Sequence, residues 1–163
     1  MLEKTASQRF PSDQEFENAL IYKEIYRIQS KNKNFLLESL ENYNSSYLVN
    51  IDELTIEHIM PQKLTKGWKE SLGDNWQEIH KKYLHTLGNL SLTAKNRELS
   101  NNSWEEKQAI DYKESKLKLS FKLDRGSKWG EKEILDRAKR LAQDAMSIWK
   151  YPTTKYEKIK PDE

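Results

Sequence analysis

Apolar positions along this chain change spacing several times, and each change marks an element. Pro11-Ser12-Asp13-Gln14-Glu15 places a capping serine three residues ahead of a glutamate, which predicts a helix start. Phe16, Leu20, Ile21, Ile25 and Ile28 then recur at three-to-four spacing as far as Gln29. The polar SKNKN stretch breaks the pattern before Phe35, Leu36, Leu40 and Tyr43 resume it, predicting two helices joined by a turn. From Leu48 to Met60 the residues become β-branched or apolar and the run stops at Pro61, which predicts a strand over 55–59. A second strand is expected over 89–92, where Leu90 and Leu92 alternate with Asn89 and Ser91. Between the strands, loop-like Thr65-Lys66-Gly67 and Gly73-Asp74-Asn75 flank short helical stretches over 68–72 and 76–83.

Thr93 can cap a short helix over 94–99, and Ser103 with Glu106 makes another capping box for a helix through Gln108, Ile110 and Tyr112. KLKLSFKL, residues 116–123, alternates with period two and predicts an edge strand whose lysines discourage further pairing. Ile134, Ala138, Leu141, Ala145 and Ile148 form one stripe over 131–149, the clearest amphipathic helix in the chain. The five tryptophans are expected as core or rim anchors, and the tail YPTTKYEKIKPDE as a frayed polar end.

Composition narrows the class. With 163 residues, 36% of them hydrophobic, the chain suits one domain or one domain with a helical attachment. A formal net charge of +2 does not announce a polyanion partner, so any basic surface must come from local clustering. The absence of cysteine removes disulfides, thiolate metal sites and thiol nucleophiles and fits a reducing, cytoplasmic location. No apolar run approaches the roughly 18 residues needed to span a bilayer, and the first residues lack a signal-peptide core. Neither membrane insertion nor export is expected.

Chemistry concentrates in a few positions. The three histidines are His58, His80 and His85, and their spacing excludes an HExxH site; His80 is expected on the surface of a helix. No GxSxG elbow, Walker loop or dinucleotide fingerprint is present among the five glycines. In TIEHIMPQ, residues 55–62, Glu57 and His58 stand side by side in a strand-like run. A carboxylate is a hard ligand for Mg²⁺ or Mn²⁺, an asparagine oxygen a weaker one, and a neutral imidazole can take a proton from water. Those parts suffice for phosphodiester hydrolysis. One difficulty is geometric: neighbouring strand residues point to opposite faces, so the strand must end or bend near Glu57 and His58, as Pro61 suggests.

IEHIMPQ, HTLGNLSL and KNRELSN, in this order, resemble the HNH nucleases with the ββα-metal finger, and more closely the HNH domain at the carboxyl end of GmrSD-like type IV restriction endonucleases. The likeness is close over 54–107 and extends loosely over nearly the whole chain. It implies an α+β fold, mostly helical, with a ββα-metal finger embedded among flanking helices. The corresponding division is a helical segment over 1–47, a finger core over 48–113, an edge segment and amphipathic helix over 114–150, and a polar tail over 151–163.

By the same resemblance, His58 matches the general base and Glu57 the acidic metal ligand beside it. Asn89 matches the central asparagine, which fixes the loop between strands and positions the base. Asn96 matches the last motif residue, a metal ligand that is His in many members, and His85 is an auxiliary group near the site. Glu at 57 for the more general Asp, and Asn at 96 for His, favour Mg²⁺ or Mn²⁺ over Zn²⁺. Lys63, Lys95 and Arg97 flank the site and are candidates for DNA phosphates, or else plain surface cations. The implied activity is metal-dependent DNA cleavage in a restriction or antiviral system acting on modified or foreign DNA. An upstream NTPase-like domain or subunit is the implied partner. The alternative is a non-catalytic DNA-binding or docking module.

Overall fold

The computed structural model describes residues 10–150. The polar lead-in and the tail expected to fray lie outside the described residues, apart from Phe10. Helix α1 spans Asp13–Tyr22, and the Ser12 hydroxyl accepts from the Glu15 N–H at 3.3 Å while the Glu15 carboxylate accepts from the Ser12 N–H at 2.8 Å. The helix does not reach Gln29. Lys23 is extended, a 3₁₀ turn covers Ile25–Arg27, and the Tyr26 N–H donates to the His85 carbonyl at 3.1 Å. This long-range bond breaks the helix and aims Tyr26 at the histidines. Helix α2, Ser30–Asn42, absorbs the SKNKN stretch as its first turn and buries Leu36, Leu37 and Leu40.

Strands β1, Thr55–His58, and β2, Leu90–Thr93, pair antiparallel with Thr55 opposite Thr93 and His58 opposite Leu90. Between them run α3, Lys66–Leu72, which includes the Lys66-Gly67 pair expected as loop, and α4, Trp76–Tyr83. After β2 come α5, Asn96–Leu99, and α6, Trp104–Lys107, which continues as a π-helical turn over Gln108–Tyr112. The last helix, α7, spans Glu131–Ile148. The two-stranded sheet among helices is the mostly helical α+β architecture expected.

Residues 116–123 are not a strand. A 3₁₀ turn covers Lys118–Ser120, and two buried charges occupy the main-chain groups a ladder would need. The Glu41 carboxylate accepts from the N–H groups of Lys118 (2.6 Å) and Leu119 (2.8 Å), and Arg137 donates to the Leu119 carbonyl at 2.8 Å. The same guanidinium donates to the carbonyls of Leu87, Gly88 and Leu90, clamping the turn before β2 onto α7. Burial pushes its pKa down to about 9, which leaves it a cation at neutral pH. Close approach here requires Gly88, because a Cβ at that position would lie 2.2 Å from the Ile134 carbonyl.

The core has two lobes that share α7. One gathers Leu20, Ile21, Leu37, Leu40, Leu90 and Leu92 around Ala138, Leu141 and Ala145. The other gathers Ile59, Met60, Trp68, Trp104, Tyr112 and Trp129 around Ile134. Trp68, Trp104 and Trp129 are buried anchors, as expected, while Trp76 and Trp149 are half-buried at the rim. Leu90 and Leu92 of the sheet pack in the first lobe, and Ile59 and Met60, which follow β1, pack in the second.

Candidate functional site

The strand β1 ends at His58, and the chain beyond it is fastened by one side chain. Asn89, fully buried, accepts from the Met60 N–H at 2.8 Å and from the Trp129 indole at 3.1 Å, and donates to the carbonyls of Met60 and Leu84, each at 3.0 Å. All its polar capacity is used inside the fold. His80, half-buried rather than on the surface, lies with its Nε2 3.0 Å from the Pro61 carbonyl, a bond its N–H donates. The turn after His58 is thus bonded from two sides, and the strand terminates where the geometric difficulty required.

That termination lets Glu57 and His58 line one open pocket, about 480 Å³, together with Asn96 from α5, Lys63, Gln62 and Tyr26. Asn96 is exposed at the first turn of α5, after the Thr93 hydroxyl accepts from the Lys95 N–H at 2.9 Å. Ser100, which ends α5 and also lines the pocket, has φ 37°, a left-handed value strained for serine. Of the cations expected at the site, Lys63 lines the pocket. Lys95 folds the other way, donating to the Ile110 carbonyl at 2.9 Å, with Asp111 and Glu114 each 4.0 Å away. Arg97 is exposed on α5 outside the pocket lining.

His58 is 6% exposed and packed on three sides. Its Nε2 lies 3.1 Å from His85 Nδ1, its Nδ1 lies 3.4 Å from the Gln62 amide nitrogen, and the Tyr26 ring meets it edge-on at 4.4 Å. Tyr26 also stacks on His85 at 5.3 Å. The assignment that satisfies both contacts has His58 Nε2–H donating to His85, leaving the lone pair on Nδ1 beside a long amide contact. Burial first, then His85, Lys107 and Lys33, holds the His58 pKa down to about 3. The imidazole is neutral across the physiological range. His85, partly exposed, is shifted down by burial and by Arg27.

Glu57 is 2% exposed, and its Oε1 receives the ammonium of Lys107, itself fully buried. Lys107 also donates to the His58 carbonyl at 2.9 Å. Burial raises the Glu57 carboxyl despite Lys107 and lowers the Lys107 ammonium despite Glu57. Sequence reasoning missed Lys107, Gln62 and Tyr26. The available signal for Lys107 was its position three residues after Trp104 and four before Asp111, on the buried face of α6 and the turn that follows.

Among the described residues, no three His, Cys, Asp or Glu side chains converge as a metal-holding group. The pocket instead offers one carboxylate, Glu57, whose Oε1 is engaged by Lys107, and the amide oxygens of Gln62, Asn96 and Asn101. This set fits a hard cation of the Mg²⁺ or Mn²⁺ type, which is held by few protein oxygens and completes its shell with water and phosphate, and it does not fit a structural zinc. The family model for the C-terminal domain of GmrSD restriction endonucleases matches residues 10–144 of the chain. Neither the curated proteins nor the solved structures include a match to it.

Proposed function

Because the chain belongs to the family of GmrSD restriction endonuclease C-terminal domains, and is thus a nuclease module, we propose that it hydrolyses phosphodiester bonds of DNA by HNH-type, cation-dependent chemistry at the pocket between β1 and α5. The observation that carries this reading is the convergence of Glu57 and His58 from the end of β1 with Asn96 from α5 on one open pocket. Glu57 and Asn96 would hold the divalent cation, which when bound neutralises charge on the scissile phosphate and the departing oxygen.

His58 Nδ1 accepts a proton from water as the water oxygen bonds to phosphorus, and the bond from phosphorus to one ester oxygen breaks. His85 accepts the Nε2–H of His58, which fixes the tautomer and the ring plane during the transfer. Asn89 and Lys107 hold the strand end and so fix Glu57 and His58 relative to each other before substrate arrives. Lys63 supplies a cation at the pocket rim for a neighbouring phosphate.

An NTPase-like partner domain or subunit, action on modified or foreign DNA in defence, and a cytoplasmic location extend the same proposal and rest on the family. No helix among the described residues is long and apolar enough to cross a membrane. A supercoiled-plasmid assay with Mg²⁺ or Mn²⁺ on the intact chain and on His58→Ala tests the proposal. Metal-dependent nicking lost in His58→Ala supports it, and no cleavage by the intact chain favours a binding or docking module.

A further inference from the structure

A second depression, about 640 Å³, lies between the loop after α2 and the segment joining the π turn to α7. Its lining includes Lys113, Lys116, Lys118, Lys122 and Arg125 against the single acid Asp124. Lys118 is engaged, donating to the Tyr43 carbonyl at 2.9 Å and pairing with Asp144 at 3.3 Å, and Arg125 lies 3.9 Å from Asp124. Lys113, Lys116 and Lys122 are exposed and have no ion-pair partner among the described residues. In a chain whose formal net charge is only +2, three uncompensated cations around one cleft form a local positive field.

Two aromatic side chains stand in the same lining with much of their surface in solvent, Tyr47 at 82% and Phe121 at 51% exposure. Lys122 lies over the Phe121 ring at 5.2 Å. Each wall also carries a non-glycine residue in the left-handed region, Asn44 at φ 54° and Lys122 at φ 65°. That conformation is routine for asparagine and costly only for Lys122.

We propose that this cleft binds a single-stranded segment of the DNA substrate, with phosphates on Lys113, Lys116 and Lys122 and bases stacked on Tyr47 and Phe121. Cations alone would fit any polyanion. Exposed rings interleaved with cations favour an unpaired strand, because every base has a face to stack and a duplex keeps its faces covered. The inference rests on the nuclease reading for the identity of the polyanion, and it places substrate contacts on residues that do not line the candidate active site.

The test measures fluorescence anisotropy of a labelled oligothymidylate, in chelator, on the full chain carrying His58→Ala, so that binding is read without cleavage. In that background, Tyr47→Ala/Phe121→Ala should weaken binding about thirtyfold or more, the lower end for loss of two stacked bases. Lys113→Gln/Lys116→Gln/Lys122→Gln should reduce the slope of log affinity against log salt by about two. All five positions are exposed, and an unchanged melting temperature certifies the fold of each variant. Equal affinity and salt slope in both variants overturns the inference, as does equal loss of duplex and single-strand binding in Tyr47→Ala/Phe121→Ala. Cleft-dependent binding without plasmid cleavage by the intact chain supports this inference and rejects the nuclease reading. Cleavage with cleft-independent binding does the reverse.

Discussion

The Lys107 ammonium contacts the Glu57 carboxylate beneath the end of β1, with both side chains out of solvent. A buried carboxylate next to a proposed phosphate site would repel the substrate if it stood uncompensated, and Lys107 supplies the opposite charge from 50 residues away. Because the same ammonium also holds the His58 carbonyl, it ties Glu57 and His58 to one anchor.

Breaking this pair from one side should be costly. Lys107→Met is expected to destabilise the protein by about 3–5 kcal/mol, since it leaves Glu57 buried without a partner. Glu57→Gln/Lys107→Met should lose less than the sum of the two single variants. Urea unfolding of the three variants checks both statements, and strictly additive losses would contradict the coupling.

Asn89→Ala should cost on the order of 3 kcal/mol, because it strips partners from the Met60 N–H and carbonyl, the Leu84 carbonyl and the Trp129 indole at once. Amide exchange at Met60 should accelerate in step. A loss below about 1 kcal/mol would mean that the turn after His58 holds without this side chain.

The depressed pKa of His58 gives a definite sign to acid stability. In the metal-free protein the folded ring stays neutral down to about 3, whereas the unfolded ring takes a proton near its ordinary value of 6.5. The unfolded state therefore binds more protons between those values, and stability falls as pH drops through that window. His58→Gln should flatten the slope of unfolding free energy against pH over the same range. An unchanged slope would show that the ring titrates normally in the fold.

Gly88→Ala tests the clamp of β2 on α7. The added methyl would meet the Ile134 carbonyl at 2.2 Å, so the helix must move or the turn must open. A fall in melting temperature with loss of protection along α7 is expected, and a neutral effect would contradict the close approach.

What was legible in the sequence was local. Ser12 with Glu15 and Ser103 with Glu106 each form the capping box that their spacing predicts, and the α7 stripe is buried as its periodicity requires. The two strands fall within one residue of expectation because β-branched runs and punctuation by Pro61 and Gly88 act over short range. Residues 116–123 were misread because their alternation is real but their main-chain partners are Glu41 and Arg137, distant in sequence and buried as charges. Tyr26 was hidden for a similar reason: a bond to His85 overrides the helical period around it. At the site, the motif residues Glu57, His58 and Asn96 could be named from the chain, whereas the burial of Lys107 was legible only as its place on the face it shares with Trp104 and Asp111, a weak signal for a charged side chain.

The most direct measurement of the central claim is anomalous diffraction from crystals of the intact chain soaked in Mn²⁺. A single manganese peak is expected between the Glu57 carboxylate and the Asn96 side-chain oxygen, with a water within hydrogen-bond reach of His58 Nδ1. Manganese absent from that pocket at saturating concentration, or bound only at sites that leave Glu57 and Asn96 untouched, would contradict it.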